Sequence, residues 1–245
     1  MPGKNLKLVQ TKGAGLPLIC VQFDGARRIL PPYMGKGRPI YNFIHQGDDG
    51  KKVPLDTVGA IAGQYLSELK ADVPRGPYLL VGYSFGGLVA YEMAQRLVHG
   101  GDRVPFLALI DCCAPHLHIE SMKHGMPFYT PLKSVVMRNL VKRKLAKGGT
   151  LTGKTRHFHI INTYHKAVLA YTAAPYAGHL TLFRSQDAWG PPDLGWKDLA
   201  TGGLDVQEFP GDHVSMLREP NVGKLVRAMR RRIALLEELD LDPVP

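Results

Sequence analysis

Apolar residues along this chain fall into short dense runs, with stretches between them where apolar positions recur every three to four residues. The runs are "PLICVQF" (17–23), "RPIYNFI" (38–44), "PYLLVGY" (77–83), "VPFLALID" (104–111), "GHLTLFR" (178–184) and "LDVQEF" (204–209). Several are apolar at almost every position, which predicts strands buried on both faces. Between them, "DTVGAIAGQYLSEL" places Val58, Ile61, Tyr65 and Leu69 on one helical face, with Asp56 as the expected N-cap. "FGGLVAYEMAQRLVHGG" predicts a helix that stops at Gly100-Gly101, and "NVGKLVRAMRRRIALLEEL" (221–239) predicts the closing one. Strands alternating with helices imply an α/β fold, a mostly parallel sheet with helices on both faces.

One interval breaks the alternation. From about 114 to 177 no strand is predicted. It holds a basic helix, "PLKSVVMRNLVKRKLAK", expected to turn Leu132, Val135, Val136, Leu140 and Leu145 to one side, and a second helix over roughly 155–172. The glycine-rich segment at 147–154 reads as a mobile loop between the two. An insertion of this length between strands predicts a helical lid over the sheet edge. No internal repeat or interdomain linker is visible, so residues 1–245 are expected to form a single domain with this lid as a subregion.

Composition narrows the setting. The chain has 44% hydrophobic and 21% charged residues, as a soluble globular protein does. No run of about 18 apolar residues occurs, so no membrane span is expected; the start, "MPGKNLKLVQTKGAG", lacks a secretory core. Cys20, Cys112 and Cys113 show no metal-binding spacing, and an odd count with two adjacent members argues against disulfides. A reducing, cytoplasmic location is expected. The net charge is +10, and between residues 112 and 166 ten Lys and Arg face a single acid, Glu120. A local basic block of this kind points to an acidic partner, not to general nucleic-acid binding.

The candidate chemistry starts at residues 82–86, Gly-Tyr-Ser-Phe-Gly, between a buried strand and a helix. This G-x-S-x-G context predicts a strained strand–turn–helix elbow that exposes Ser84 Oγ near a helix N-terminus. The competing reading is a glycine turn with a helix-capping serine. A serine nucleophile needs a base. His213, in "FPGDHVSML" directly after the last predicted strand, stands where an α/β-hydrolase carries its histidine; His99, His116, His118, His124, His157, His159 and His165 fall at helix ends or in the lid. The histidine needs an acid. Asp111 and Asp187 each end a predicted strand at the carboxyl edge of the sheet, and topology does not choose between them.

With these residues in place, the chain resembles the α/β-hydrolase thioesterase domains that end nonribosomal peptide and polyketide synthases. The likeness rests on "RPIYNFIHQGDDGK", "RGPYLLVGYSFGGLVAYEMAQRL", "LALIDCCAP" and "SQDAWGPPDLGWKDLATGGLDVQEFPGDHVSMLREPNV", and covers nearly the whole chain. The resemblance implies an α/β-hydrolase fold and a Ser84–His213–Asp111 triad, with Asp187 as the lesser alternative. It also implies an oxyanion hole from the backbone N–H groups of Phe85 and Asp24. Here "VQFDGARR" departs from the family's proline-containing turn, with Phe23 in the proline's place. The implied reaction is release of an acyl, peptidyl or polyketide chain through an acyl-serine, by hydrolysis or macrocyclisation. No cofactor or metal is implied; the substrate arrives on the 4′-phosphopantetheine arm of an acidic carrier protein, which the basic lid (Lys142, Arg143, Lys144) is expected to receive. Met122, Met126, Phe128 and Tyr129 are expected to line the acyl chamber. The alternatives are a stand-alone editing thioesterase and a carboxylesterase; a non-enzymatic binding module is disfavoured by the intact triad.

Overall fold

The computed structural model describes residues 5–11, 13–51, 55–123 and 131–241. Six of its strands are the six apolar runs: β2 (Leu18–Val21), β3 (Ile40–Phe43), β4 (Leu79–Tyr83), β5 (Phe106–Ile110), β6 (Leu180–Ser185) and β7 (Leu204–Phe209). A seventh, β1 (Leu6–Gln10), was not foreseen. It is an edge strand with Leu8 exposed, so it lacks the dense apolar signature of the others. The sheet order is β1-β3-β2-β4-β5-β6-β7, with β1 antiparallel to β3 and every other pairing parallel. This is the mostly parallel α/β sheet the sequence pattern predicts, in the α/β-hydrolase arrangement the resemblance implies.

The inner strands β2, β4 and β5 are almost wholly apolar because successive residues feed two cores. Ile19, Val21, Leu80, Leu107 and Leu109 face one layer, which holds α2 (Val58–Asp72) and α3 (Phe85–His99). Leu18, Cys20, Leu79, Val81, Phe106 and Ala108 face the other, under α1 (Ala26–Met34) and α7 (Asn221–Leu241). The chain leaves β2 in one direction to form β3, then returns across it to form β4. That reversal opens a crevice beyond the carboxyl ends of β2 and β4, where ligands bind in open α/β sheets.

The helices depart from expectation in instructive ways. α1 was not predicted, because Pro31 and Pro32 lie inside it and read as breakers. Burial of Ile29, Leu30 and Met34 in the core shared with α7 overrides that local penalty. The N-cap of α2 is Thr57, whose hydroxyl accepts from Ala60 N–H at 3.2 Å, one residue beyond the expected Asp56.

Between β5 and β6 lie α4 (Pro115–Lys123), α5 (Pro131–Ala146) and α6 (Gly153–Leu169), the helical insertion expected at 114–177. Of the expected face of α5, Leu145 packs but the rest of its described residues do not. Val135, Val136 and Leu140 are exposed, Val136 by 52%. The packed stripe is Met137, Val141 and Leu145, spaced by four, which meets Leu151 and Phe158. Both faces of α5 carry apolar residues, so periodicity alone had no unique answer. The glycine-rich segment is also tied down. Leu151 is buried and donates to Gly50 O at 2.7 Å, while Thr152 and Thr155 form a capping box at the start of α6. Met126, Phe128 and Tyr129 lie outside the described residues, as do the side chains of Met122 and Leu132.

Val141→Ala should remove about 1.5 kcal/mol of local stability, two buried methyl groups' worth, and raise amide exchange across α5. Val136→Ala should leave exchange unchanged. Hydrogen–deuterium exchange with mass spectrometry distinguishes the two; equal effects would mean that the exposed face also packs.

Candidate active site

Three non-glycine residues with positive φ stand side by side at the carboxyl edge of the sheet. Gln22 follows β2 (φ 54°), Ser84 follows β4 (φ 53°) and Asp111 follows β5 (φ 45°). Each is pinned by its own N–H to the neighbouring strand: Gln22 to Phe43 O at 2.8 Å, Ser84 to Ile110 O at 2.9 Å and Asp111 to Phe183 O at 2.7 Å. A left-handed backbone at a non-glycine residue is strained, by roughly 1–3 kcal/mol, and persists only where surrounding contacts impose it.

At Ser84 the imposing contacts are steric. A methyl group on Gly82 would stand 2.3 Å from Gly86 O, and one on Gly86 would stand 2.2 Å from Val21 O. One on Gly87 would meet the Cys112 side chain at 2.7 Å. The glycines of the motif are thus needed so that α3 can start against β2, β4 and the β5 turn at once. Ser84 then takes φ 53°, ψ −125° and leads directly into α3. Gly87 N–H closes the first turn on Ser84 O at 2.9 Å, and the N–H of Phe85, at the helix start, has no intrahelical acceptor and adds to an electropositive end.

His213 lies after β7 in a loop held by Asp212, whose Oδ1 accepts from the N–H groups of Val214 and Ser215 at 2.9 and 2.7 Å. His213 Nδ1 is 2.7 Å from Asp111 Oδ2. Tyr83, the residue before the serine, stacks on the His213 ring (4.9 Å between centroids, 21° between planes) and donates its hydroxyl to His213 O at 2.6 Å. With the Nδ1 proton directed at the carboxylate, Nε2 is left as the acceptor.

Asp111 itself is 5% exposed at the side chain. Its Oδ1 accepts from Ser185 N–H at 2.7 Å and Ser185 Oγ at 2.9 Å. Burial pushes its carboxyl up, but the bonds from His213 and Ser185 outweigh burial and bring it below the usual carboxylate range. The Asp111 turn is further held by Trp196, fully buried, which donates to Cys112 O at 2.6 Å.

The other expected residues fall as follows. Asp187 is exposed, two residues past β6, and its N–H bonds Gly211 O at 3.2 Å; His213 Nδ1 pairs with Asp111 instead. Asp24 lies in the turn after β2. The N–H groups of Gln22 and Phe23 are already engaged, by Phe43 O at 2.8 Å and Asn42 Oδ1 at 3.2 Å, so Asp24 has the next N–H along the turn. Its carboxylate is 3.4 Å from His45 Nε2, and the hydrogen bond from His45 holds it below the usual range.

Of the other histidines, His118 lies 3.7 Å from Cys113 Sγ and edge-on to His165, and His179 contacts Asp205 at 3.0 Å, while His124 lies outside the described residues. Burial lowers His118 and His165 below the ordinary imidazole value. It pushes the Cys113 thiol up to about 11, so that thiol is no thiolate nucleophile at neutral pH. Ser185 and Tyr83 were not singled out from the sequence. Ser185 becomes visible only through the pairing of β5 with β6, which puts it beside Asp111.

Among the described residues no group of three or more His, Cys, Asp or Glu is placed to hold a metal ion, and no helix is long and apolar enough to cross a membrane.

Comparison with known proteins agrees with this fold. The family model "Thioesterase domain" matches residues 38–233. The non-reducing polyketide synthase atnG of an Arthrinium species is 28% identical over 200 residues, 71% of this chain and 10% of that protein. Malpibaldin synthetase of Mortierella alpina is 24% identical over 247 residues, 92% of this chain and 4% of that protein. The chain thus spans a small fraction of the length of the curated relatives it matches. Among solved structures, the NocB thioesterase domain in covalent complex with a fluorophosphonate nocardicin G analogue superposes with a TM-score of 0.66 at 21% identity, covering 94% of this chain and 99% of that one. The RedJ thioesterase of Streptomyces coelicolor gives 0.64 at 21% identity, covering 88% and 89%. At these identities the structures establish the common fold.

Asp111 stays ionised in the folded chain to lower pH than in the unfolded one. Its stabilising contribution is therefore complete above the unfolded carboxylate value, about 3.9, and is lost as pH falls through the depressed folded value. Asp111→Asn should cost about 1.5–3 kcal/mol at pH 7, the range for hydrogen bonds to charged groups, and the gap to wild type should close below about pH 4. Urea denaturation at pH 7, 5 and 3 measures it; a gap that persists unchanged at pH 3 would assign the loss to shape instead of charge.

Proposed function

Because this chain belongs to the thioesterase domain family, we propose that it releases an acyl, peptidyl or polyketide chain from a carrier-protein phosphopantetheine thioester through an acyl-serine intermediate. The observation that carries the proposal is the 2.7 Å pairing of His213 with Asp111, at the sheet edge where Ser84 occupies its strained turn.

In this reading His213 Nε2 takes the Ser84 proton as Oγ attacks the thioester carbonyl, and Asp111 stabilises the imidazolium that forms. The negative charge on the carbonyl oxygen is met by the N–H groups of Phe85 and Asp24; losing one such donor costs about 10²–10³ in rate. The one acidic side chain on that turn, Asp24, is engaged by His45 at 3.4 Å. The pantetheine thiol leaves, taking the proton from His213, and the acyl group remains on Ser84. Water, or a nucleophile of the chain itself, then repeats the sequence in reverse, giving a free acid or a ring. The phosphopantetheine belongs to the carrier, and the chain's own residues need no cofactor for these steps. The multidomain synthetases and synthases among the relatives support chain release over stand-alone editing. Three free thiols support a reducing, cytoplasmic setting.

The α4–α6 insertion acts as a lid in the same catalytic unit. Lys142, Arg143 and Lys144 on α5 are exposed and form a docking face for an acidic carrier.

Incubation with a panel of acyl N-acetylcysteamine thioesters, followed by intact-protein mass, tests the serine. Wild type should gain one acyl group or turn over, and Ser84→Ala should do neither. A wild type inert to every thioester and to a fluorophosphonate would sink the enzymatic reading. Replacing Lys142, Arg143 and Lys144 together by Glu should raise KM for carrier-bound substrate several-fold and leave the small thioester unchanged. Equal effects on both substrates would remove the docking face from the proposal.

A further inference from the structure

Of the three strained residues along the sheet edge, the triad reading uses Ser84 and Asp111 and leaves Gln22 without a role. Gln22 is buried, and its backbone is held at φ 54°. Its Nε2 donates to Tyr164 Oη at 3.0 Å and lies 3.4 Å from Tyr65 Oη. Its Oε1 is buried with no partner among the described residues. A leucine at this position would carry no orphaned carbonyl, and a glycine would carry no backbone strain. A buried polar side chain in a strained backbone, kept at such a place, calls for a functional reason.

The surroundings supply one. Gln22 lies two residues before Asp24, and the turn it starts is braced by Asn42, which bonds both Phe23 N–H and Phe23 O. The same turn touches the serine elbow: a methyl group on Gly86 would stand 2.8 Å from Gln22 Cβ. Tyr164 belongs to α6, part of the lid. Its hydroxyl accepts from Gln22 Nε2 and, at 3.1 Å, from Gln46 N–H. Its ring lies flat on Phe85, 4.0 Å between centroids and 8° between planes. One lid side chain therefore holds both chain segments whose N–H groups would receive the oxyanion, the Asp24 turn through its hydroxyl and Phe85 through its ring.

We propose that Gln22 and Tyr164 are positioning residues for the oxyanion hole, so that the hole has its working geometry only while lid helix α6 is seated on the β2 turn and the serine elbow. Neither residue touches the reacting atoms. Their effect is exerted where charge develops on the carbonyl oxygen, and so falls on the transition state more than on the bound substrate. The inference rests on the thioesterase reading above and on its assignment of Phe85 and Asp24.

The test compares wild type with Tyr164→Phe, which keeps the ring and removes the hydroxyl, and with Gln22→Met, which keeps the approximate shape and removes the amide. For each, kcat and KM on an acyl N-acetylcysteamine thioester are measured with Tm and with inhibition by an alkyl boronic acid, whose tetrahedral serine adduct occupies the oxyanion hole. Either variant should lose about 10- to 100-fold in kcat, as expected of a small misplacement of catalytic groups. KM should stay within about twofold, and boronate affinity should fall by a factor similar to that in kcat. Activity and boronate affinity equal to wild type in both variants would overturn the inference. A lowered Tm with boronate affinity unchanged would also overturn it, by reducing the contact to packing. A wild type that turns over no thioester and is not labelled by a fluorophosphonate would overturn the thioesterase reading together with this one. Active wild type with unaffected variants overturns this one alone.

Discussion

Everything at the carboxyl edge of this sheet depends on how closely α3 can start against the strands around it. The backbone of Gly82 faces Gly86, Gly86 faces Val21 and Gly87 faces the Cys112 side chain, all at separations that leave no space for a Cβ. With that contact made, the chain between β4 and α3 has a single residue in which to reverse, and Ser84 takes the left-handed conformation that results. A serine in an ordinary capped turn would point its hydroxyl back at its own helix; here no side-chain cap bond forms at Ser84. The strain is local, and the cost is carried by the packing of α3 in a core that includes Leu88, Val89, Tyr91 and Met93.

The same construction recurs on the strands to either side. Gln22, Ser84 and Asp111 follow β2, β4 and β5, which are neighbours in the sheet, and each donates its N–H to the strand beyond. Parallel strands bring their carboxyl ends to one edge, so chemistry-bearing residues far apart in the chain arrive within a few strand spacings of each other. The consequence is a row of rigid, over-determined turns. Rigidity at that edge suits a reaction in which donors must already point at a developing charge. Around the row, polar contacts are dense: Ser185 on Asp111, Tyr83 on His213, Tyr164 on Gln22.

Much of this was legible before any coordinates. Five of the six apolar runs became inner parallel-paired strands, where burial on both faces leaves few polar positions to obscure the signal; the sixth, β7, is an edge strand that carries Asp205, Gln207 and Glu208. Ser84 was legible through its glycines and His213 through its place after the last strand. Other features were illegible for identifiable reasons. β1 is half-exposed at the edge, and α1 contains two prolines that only its packing against α7 overrides. α5 has apolar residues on two faces, and the choice of Met137, Val141 and Leu145 was made by Phe158 and Leu151, which approach from α6 and the loop before it.

What the sequence by itself determined is therefore the alternation of strands and helices, the elbow around Ser84 and the short list of partners for it. These are local properties: apolar period, glycine placement and order along the chain. Position along the chain did not choose between Asp111 and Asp187, and the resemblance put Asp111 first; only the tertiary structure set His213 Nδ1 against Asp111, put Ser185 on its carboxylate and made Tyr164 span Gln22 and Phe85. Those are contacts between residues separated by up to 142 positions. Their distances are set by strand pairing and helix packing, and no pattern of neighbours in the chain encodes them.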